Sequence, residues 1–446
     1  MNGQTEKRVE RNVYWSLVGK VTNLLGALLV TIFVARYLGP INYGLMNYVV
    51  SFVSLFLILA TFGFDNIEIR EEAKSASDRD YIIGTTFFLR LGLSFITMGA
   101  IILTAYLNES DNNTFWLIAI YSLSVIITPF DVIRNHFTAL VQNEYIVKAG
   151  IVRTIISCII KVVLLLIHAS LIWFVISLVF DALILMQGYI YVYRKKISSL
   201  SSWKFSKRWA KYLLHQSFPL MLSGAAATIF LQIDVVMIGN MLEDKDSVGY
   251  FSVASKFVEI LIYLPTIAIQ TVSPILVETK RDKPTKYIGK AQSFMNVTVW
   301  GTLLCSILLA ICAYPVVILT FGKAYLPAVL PLQILAFKAV GAALNMASGQ
   351  ILIIDERQKF FVLRSLSGCL VCIVLNYIFI PLYGITGVAF ISIATQFMAG
   401  FIIHAIIPSY RYVFRMQLST LQTGWKDLSI IKDYYLKKKN HSHKDD

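Results

Sequence analysis

Long apolar stretches alternate with short polar breaks along almost the whole chain of 446 residues. A helix of about 20 apolar residues is long enough to cross the hydrocarbon layer of a membrane. The pattern therefore predicts an all-α polytopic membrane protein, with its helices in two six-helix bundles related by pseudo-symmetry. The twelve predicted spans lie approximately at 13–35, 45–64, 82–107, 115–133, 149–168, 171–193, 217–241, 249–274, 293–318, 328–352, 363–381 and 388–408.

The longest polar connection follows the sixth predicted span and divides the chain. Duplicated halves of six helices are typical of transporters that bind their substrate where the halves meet. The predicted parts are an N-terminal six-helix bundle at 1–193, a basic cytoplasmic connector at 194–216, a C-terminal six-helix bundle at 217–408 and a basic cytoplasmic tail at 409–446.

A faint internal repeat supports this division. LGPINYGLMNYV (38–49) has a counterpart in IGNMLEDKDSVGYFSV (238–253), since each leaves a helix at a glycine and enters the next beside a Gly and a Tyr. A second pair is VQNEYIVKAGIVR (141–153) and IIDERQKFFVLR (353–364), in which Glu144 is matched with Glu356.

Composition and charge agree with a membrane protein. Only 15% of the residues are charged and the mean hydropathy is +0.67, whereas soluble domains are about 25% charged. Of the 40 Lys and Arg, 31 lie in the tails and in alternate connections, while the opposite loops hold only Arg36, Lys245 and Lys323. By the positive-inside rule, both termini are predicted in the cytoplasm and the protein in the cytoplasmic membrane. The net charge of +14 is thus an orientation signal, and no nucleic-acid partner is predicted.

Six cations remain inside the predicted spans. A charge at the centre of a bilayer costs about 2.5–3.5 kcal/mol or more, so we expect most of them to face a wet cavity and to bind substrate. Snorkelling of the long side chains to the membrane interface is the alternative for each of them. The predicted substrate-binding residues are Lys20, Arg90, Arg153, Lys161, Lys256 and Lys338. Arg153 and Lys161 are eight residues apart, which directs both toward one cavity.

Carboxylates inside the spans are fewer. Asp234 has no basic neighbour at helical spacing, and Glu259 is three residues from Lys256, a spacing that allows the two to pair. Asp234 and Glu259 are the candidates for ion coupling or gating. An excess of buried cations favours a negatively charged cargo, and a phospholipid or pyrophospholipid that carries sugars combines negative charge with bulk.

Neither catalysis nor a bound cofactor or metal is predicted. All five cysteines lie in apolar segments, where packing thiols are expected rather than redox or metal chemistry. The predicted external loops are too short for a catalytic domain, and there is no phosphate-binding loop of the Walker type. The protein is therefore not expected to be an enzyme.

Four motifs resemble the polysaccharide-export branch of the multidrug/oligosaccharidyl-lipid/polysaccharide exporter superfamily, the Wzx-type flippases. They are RYLGPINYG (36–44), FGFDNIEIREEA (62–73), FLQIDVVMIGNML (230–242) and VGYFSVASKF (248–257). The resemblance implies that the protein moves an undecaprenyl-pyrophosphate-linked oligosaccharide, or a close polyprenyl relative, to the outer leaflet by alternating access of two bundles. It also implies a cavity with basic residues, an ion gradient, contact with membrane lipids, and a polysaccharide polymerase and glycosyltransferases as protein partners.

Three alternatives remain at this point. A cation-coupled multidrug antiporter of the same superfamily should have an acidic, aromatic cavity with few buried cations. A lipid II flippase usually has two more helices than the twelve predicted. A membrane polysaccharide polymerase normally carries a large external loop, and none is predicted in this sequence.

Overall fold

The computed structural model describes the backbone of residues 3–108 and 111–427, and the side chains of 26, 28–108, 111–357 and 359–427. Within these ranges the chain is helical apart from short turns, and it contains no strand. The predicted all-α fold is confirmed. Contacts divide the chain into two compact units, Met1–Gly239 and Asn240–Asp446.

The first unit contains eight α-helices among its described residues. They are α1 Gly3–Thr61, α2 Phe64–Lys74, α3 Arg79–Asn108, α4 Asn112–Ser122, α5 Asp131–Ala139, α6 Asn143–Leu166, α7 Leu171–Lys196 and α8 Lys207–Met241. Two 3-10 segments accompany them, Leu123–Phe130 between α4 and α5, and Leu200–Ser202 between α7 and α8.

The second unit also contains eight α-helices among its described residues. They are α9 Asp246–Asp282, α10 Pro284–Ile311, α11 Ala313–Thr320, α12 Val329–Leu335, α13 Lys338–Ile354, α14 Phe361–Phe397, α15 Ile403–Ile406 and α16 Arg411–Thr423. A π-helical turn at Met398–Ile402 joins α14 to α15. Short 3-10 turns lie at Lys323–Ala328, Gln358–Phe360, Pro408–Tyr410 and Gly424–Asp427.

Ten helical stretches in the described chain are long and apolar enough to cross a membrane. The first, Leu28–Lys74, runs from within the first predicted span through the second, and the last, Phe361–Ile406, runs through the eleventh predicted span and most of the twelfth. Each is broken at a glycine, Gly39 with φ 71° and ψ 173° and Gly384 with φ 55° and ψ −143°. A side chain on the backbone strongly disfavours such angles. The two glycines therefore reconcile ten stretches with twelve spans.

Two of the turns with positive φ in the first unit recur at nearly the same spacing in the second unit. Val141 (φ 56°) and Glu356 (φ 58°) are 215 residues apart, and His168 (φ 51°) and Gly384 (φ 55°) are 216 residues apart. The spacing supports the internal repeat but corrects its register. Glu144 lies in the first turn of α6, whereas Glu356 is the turn residue itself, so the predicted match between these two residues is wrong by three positions.

Small residues let α13 pack closely at the centre of the second unit. Ala339, Gly341, Ala343 and Ala347 are all buried on this helix. A methyl group added at Gly341 would lie 2.9 Å from Cβ of Gln396 on α14. Between membrane helices, close backbone approach of this kind replaces the hydrophobic driving force that water supplies to soluble proteins.

The connector between α7 and α8 is fixed to α3. The amide of Lys204 donates to the carbonyl of Asp80 at 3.1 Å, and the amide of Ser206 donates to Oγ1 of Thr85 at 3.0 Å. Trp203 packs against the ring of Phe87, with 5.1 Å between ring centroids. These contacts hold the segment before α8 on the first unit.

Part of the predicted tail is a helix that packs on α10. The indole Nε1 of Trp300 donates to the carbonyl of Thr420 at 2.7 Å. Nε2 of Gln292 donates to Oγ1 of Thr420 at 2.9 Å and to the carbonyl of Met416 at 3.0 Å. Because both partners lie on α16, residues 411–423 belong to the folded second unit.

Candidate functional site

A pocket of about 240 Å³ lies within the first unit, between α1, α6 and α7. Its wall is mainly apolar but includes three charged side chains and three hydroxyl groups. The lining residues are Gly26, Val30, Thr31, Val34, Met46, Arg153, Thr154, Ser157, Cys158, Lys161, Phe174, Leu178 and Asp181. The pocket thus contains Arg153 and Lys161, the pair whose spacing predicts a shared cavity.

An ion pair stands at the centre of this pocket. Nζ of Lys161 lies 2.6 Å from Oδ2 of Asp181 and also donates to Oγ of Ser157 at 2.6 Å. Both charged side chains are 15% exposed. Asp181 comes ten residues after the start of α7, which is about 15 Å along the helix axis. The pair is therefore deep in a stretch long enough to span a membrane.

The described residues that line the pocket include two cationic side chains, Arg153 and Lys161, and one carboxylate, Asp181. Pockets for drug-sized ligands have volumes of roughly 300–1,000 Å³, so this one is too small for an oligosaccharide. Its ammonium, guanidinium and hydroxyl donors suit an anionic group of the size of a phosphate or diphosphate.

Arg90 lies in a separate cluster that joins α2, α3 and α5. Its Nη2 is 2.7 Å from Oδ1 of Asp65 and 3.5 Å from Oε2 of Glu68, and the Arg90 side chain is only 1% exposed. Nδ2 of Asn135 donates to the same two carboxylates at 2.8 and 2.7 Å. Arg134 adds a second guanidinium, 3.2 Å from Asp65.

A second buried pair continues this cluster. Nδ1 of His136 on α5 is 2.6 Å from Oε2 of Glu72 on α2, and neither side chain is more than 3% exposed. The His136 ring packs edge-on against Tyr193 of α7 at 5.6 Å. The cluster thus connects four helices, α2, α3, α5 and α7, through charged side chains that are paired, as buried charges must be.

A third polar cluster lies in the second unit and fixes the start of α16. Nζ of Lys280 is 2.8 Å from Oδ1 of Asp355, and the hydroxyl of Tyr412 donates to the other oxygen of Asp355. Burial raises the pKa of the Tyr412 hydroxyl well above its ordinary value, and the neighbouring Asp355 carboxylate raises it further. Tyr412 therefore remains a hydrogen-bond donor throughout the physiological range. No group of three His, Cys, Asp or Glu in the described chain is arranged to hold a metal ion.

Comparison with known proteins identifies the family. The family model for polysaccharide biosynthesis proteins matches residues 9–280. The chain belongs to the polysaccharide biosynthesis protein family. The sequence-based resemblance to the polysaccharide-export branch is thereby confirmed. None of the curated proteins matches the chain by sequence.

Solved structures share the fold of this polysaccharide biosynthesis family member. The lipid II flippase MurJ in an inward closed conformation aligns with a TM-score of 0.69 and 15% identity, over 96% of this chain and 92% of MurJ. An inward-facing multidrug resistance MATE family transporter of the MOP superfamily aligns with a TM-score of 0.66 and 14% identity, over 90% of this chain and 96% of the transporter. A Pyrococcus furiosus transporter of that superfamily, described as having a binding pocket of reverse polarity, aligns with a TM-score of 0.58 and 14% identity, over 94% and 96% of the two chains. The fold is thus one that the chain shares with membrane transporters.

The remaining predicted site residues are not among the residues that line the pocket, or lie outside the described side chains. Lys20 is among the latter. The predicted pairing of Lys256 with Glu259 is confirmed at 3.0 Å. Lys338 donates to Oγ of Ser392 at 3.4 Å, and Asp234 is buried in α8 at 2% exposure. The roles of all these residues in substrate binding or ion coupling, and the role of Arg90, stay predictions.

Two features of the site were not found by sequence reasoning. Asp181 is visible in the sequence as an intramembrane carboxylate, but its partner Lys161 is 20 residues away on another helix. The sequence also shows Asp65 as a carboxylate at the inner end of a span, but the cluster that Asp65 forms with Glu68 and Glu72 was not predicted. A usable signal was present, because Asp65, Glu68 and Glu72 recur at the spacing of one helix face and carboxylates buried on such a face require cationic partners.

Proposed function

We propose that the protein is a flippase that translocates a polyprenyl-(pyro)phosphate-linked oligosaccharide across the cytoplasmic membrane for surface polysaccharide biosynthesis. It works by alternating access, with both termini in the cytoplasm. Its substrate is supplied by glycosyltransferases that build the lipid-linked glycan, and its product is used by a polysaccharide polymerase. The family match to polysaccharide biosynthesis proteins supports this role.

The observation that carries the proposal is the cationic pocket of the first unit. Arg153 and Lys161 lie deep in an apolar helical stretch, and among the described lining residues they are accompanied by one carboxylate, which favours an anionic ligand. The size of the pocket fits a phosphate or diphosphate head group but leaves the glycan outside it. A lipid-linked oligosaccharide has this combination of a compact anionic centre and a bulky polar attachment.

The alternative is a cation-coupled multidrug antiporter, which the shared fold with MATE transporters also permits. An organic cation needs a carboxylate in its binding pocket. The one carboxylate of this pocket, Asp181, is already paired with Lys161 at 2.6 Å. Pocket charge therefore favours an anionic cargo over a cationic drug. A membrane polysaccharide polymerase is a further alternative, but family and fold favour transport.

The test is the variant Lys161→Gln, compared with Lys148→Gln on the same helix. Lys148 is exposed and pairs with Glu144 at 2.6 Å, so its removal controls for loss of one lysine from α6. Hydrogen bonds to a charged group contribute about 1.5–3 kcal/mol, so we expect Lys161→Gln to slow translocation of a fluorescent polyprenyl-diphosphate sugar in proteoliposomes by roughly tenfold to a hundredfold. Lys161→Arg should keep most of the activity.

Protein folding is checked by gel filtration of each variant in detergent. Full translocation by Lys161→Gln would overturn the proposal. Resistance of expressing cells to organic cations, lost in Asp181→Asn but not in Lys161→Gln, would support the antiporter instead.

A further inference from the structure

Helix α9 of the second unit carries exposed polar side chains along one face. Glu259, Tyr263 and Gln270 are exposed, and Lys256, whose side chain is 36% exposed, pairs with Glu259 at 3.0 Å. The four residues follow one another at intervals of three, four and seven positions, so they lie on one side of the helix. We call them the polar face of α9. It extends over about 21 Å, at 1.5 Å per residue.

The polar face lies where the helix is expected to cross the hydrocarbon layer. The helix is long and apolar enough to span a membrane, and Glu259 is close to the midpoint of the predicted span at 249–274. The Glu259 side chain is 58% exposed. Charged side chains at this depth face a protein interior or a water-filled cavity, because contact with acyl chains is costly. We therefore expect the ion pair, and with it Tyr263 and Gln270 on the same side, to face water.

The adjacent side of the helix is apolar. Leu264 and Ile275 are 42% and 48% exposed, and they lie together on a side of α9 that is about 100° from Tyr263. The hydroxyl of Thr271, which is also on that side, donates to the carbonyl of Ile267 at 2.9 Å and so needs no partner outside the helix. Exposed polar and exposed apolar groups are thus separated around α9, as expected of a helix with water on one side and lipid on another.

The chemistry of the polar face fits a neutral ligand with many hydroxyl groups. The charges of Lys256 and Glu259 cancel, so the face has no net charge that would attract a phosphate or an organic cation. A phenol and a carboxamide each donate and accept hydrogen bonds, and no other described residue bonds to those of Tyr263 and Gln270. Sugar hydroxyls also donate and accept. The ring of a tyrosine adds an apolar surface on which the C–H groups of a sugar pack.

We propose that the polar face of α9 binds the glycan part of the cargo, with Tyr263 and Gln270 in contact with sugar residues. The ring of Tyr263 packs on a sugar, while the Gln270 amide and the Glu259 carboxylate accept hydrogen bonds from sugar hydroxyls. The pocket of the first unit is too small for an oligosaccharide, so the glycan needs a binding surface of its own. This inference rests on the proposed function and adds the residues that recognise the sugar part of the same substrate.

The first experiment tests whether the polar face is in water. Tyr263→Cys and Leu264→Cys are a matched pair, because the two native residues are adjacent and both 42% exposed. Each full-length variant, in membrane fragments open on both sides, is treated with a charged thiol reagent, and mass spectrometry distinguishes the new cysteine from the five native ones. We expect Tyr263→Cys to react about tenfold faster or more, since a charged reagent is excluded from lipid. Equal rates would overturn the inference.

The second experiment tests sugar binding by native mass spectrometry. One ligand is the lipid-linked oligosaccharide extracted from cells that lack the protein, in which it should accumulate, and the other is undecaprenyl diphosphate without sugars. We expect Tyr263→Leu and Gln270→Leu to weaken binding of the oligosaccharide lipid about three- to tenfold, the factor that corresponds to one hydrogen bond. Binding of undecaprenyl diphosphate should not change. Tyr263→Trp keeps an aromatic ring and should keep most of the affinity, and Leu264→Ala is the control on the apolar side.

The outcomes separate the two proposals. If the wild-type protein binds neither lipid, the proposed function fails. If it binds the oligosaccharide lipid and both leucine variants bind it equally well, only the present inference fails, and equal weakening of both lipids would also overturn it. Should a leucine variant not fold, the thiol reaction of Tyr263→Cys is repeated with each lipid. Protection by the oligosaccharide lipid alone would support the inference, and no protection would overturn it.

Discussion

Replacing Arg90 by Met tests whether its buried guanidinium stabilises the fold. Arg90 is 1% exposed and Glu68 is fully buried, with 3.5 Å between their charged groups. Removing one partner of a buried ion pair costs about 3–5 kcal/mol, because the other charge is left without compensation. Asn135, which donates to Glu68 at 2.7 Å, remains in the variant and lowers this cost only in part.

Protonation of Glu68 sets an upper limit to the free energy of unfolding that Arg90→Met loses. Neutralising an ordinary glutamate costs about 4 kcal/mol at pH 7.5 and about 2 kcal/mol at pH 5.5. Once Arg90 is gone, Glu68 can escape the penalty of a buried charge by taking up a proton at that cost. We therefore expect Arg90→Met to lower the free energy of unfolding by about 4 kcal/mol at pH 7.5 and by about half as much at pH 5.5.

The assay is the apparent melting temperature of the purified protein in detergent, followed by tryptophan fluorescence at both pH values. With about 2–4 °C per kcal/mol for a unit of this size, Arg90→Met should melt roughly 10 °C below wild type at pH 7.5. Arg134→Met is the matched control, since Arg134 is 38% exposed and exposed pairs contribute at most about 1 kcal/mol. The double variant Arg90→Met/Glu68→Met removes both charges and should recover part of the loss.

Two results would refute this reasoning. One is an equal shift for Arg90→Met and Arg134→Met, which would mean that burial of the guanidinium does not matter. The other is a double variant that melts no higher than Arg90→Met, since the loss would then not come from the uncompensated carboxylate of Glu68.

Two further predictions concern glycines, with Gly92→Ala as a common control because Gly92 is helical and has open space around it. Gly39→Ala places a side chain at φ 71°, a strained conformation that costs about 1–3 kcal/mol, so its melting temperature should fall by several degrees while that of Gly92→Ala stays level or rises slightly. An unchanged melting temperature in Gly39→Ala would contradict the assigned break in α1. Gly84→Ala places Cβ 2.5 Å from the backbone nitrogen of Lys204 and should displace the connector from α3. Trypsin should therefore cleave after Lys204 about tenfold faster in Gly84→Ala than in Gly92→Ala. Equal cleavage rates would show that the connector is not fixed to α3 at this position.

Hydropathy was sufficient to predict the helices because lipid imposes a simple rule on them. A spanning helix must satisfy its own backbone hydrogen bonds and present apolar side chains, and both properties are visible in a stretch of about 20 residues. The breaks were also visible, since Gly39 precedes Pro40 and Gly384 lies in the polar turn LYGIT. What hydropathy missed is that the chain stays helical on both sides of each glycine, so that two predicted spans form one kinked stretch.

Side-chain partners could not be predicted in the same way. The important pairs join residues that are far apart in the chain, such as Lys161 with Asp181, 20 positions apart, and Glu68 with Asn135, 67 positions apart. Helical spacing identifies neighbours only on one helix, which is why the pair of Lys256 and Glu259 was found and these were not. The packing of one helix against another decides such contacts, and no local pattern encodes it.

Counting cations alone therefore overstates the positive charge available to a cargo. Around Arg90 the carboxylates outnumber the guanidinium groups, because four acidic side chains, Asp65, Glu68, Glu72 and Asp131, accompany Arg90 and Arg134. Among the described residues that line the pocket the balance is reversed, since Arg153 and Lys161 are accompanied by one carboxylate, Asp181. The charge of a site indicates the charge of its ligand only when carboxylates are counted together with cations. Within the first unit, this count favours the pocket between α1, α6 and α7 over the cluster at α2 as the site for an anion.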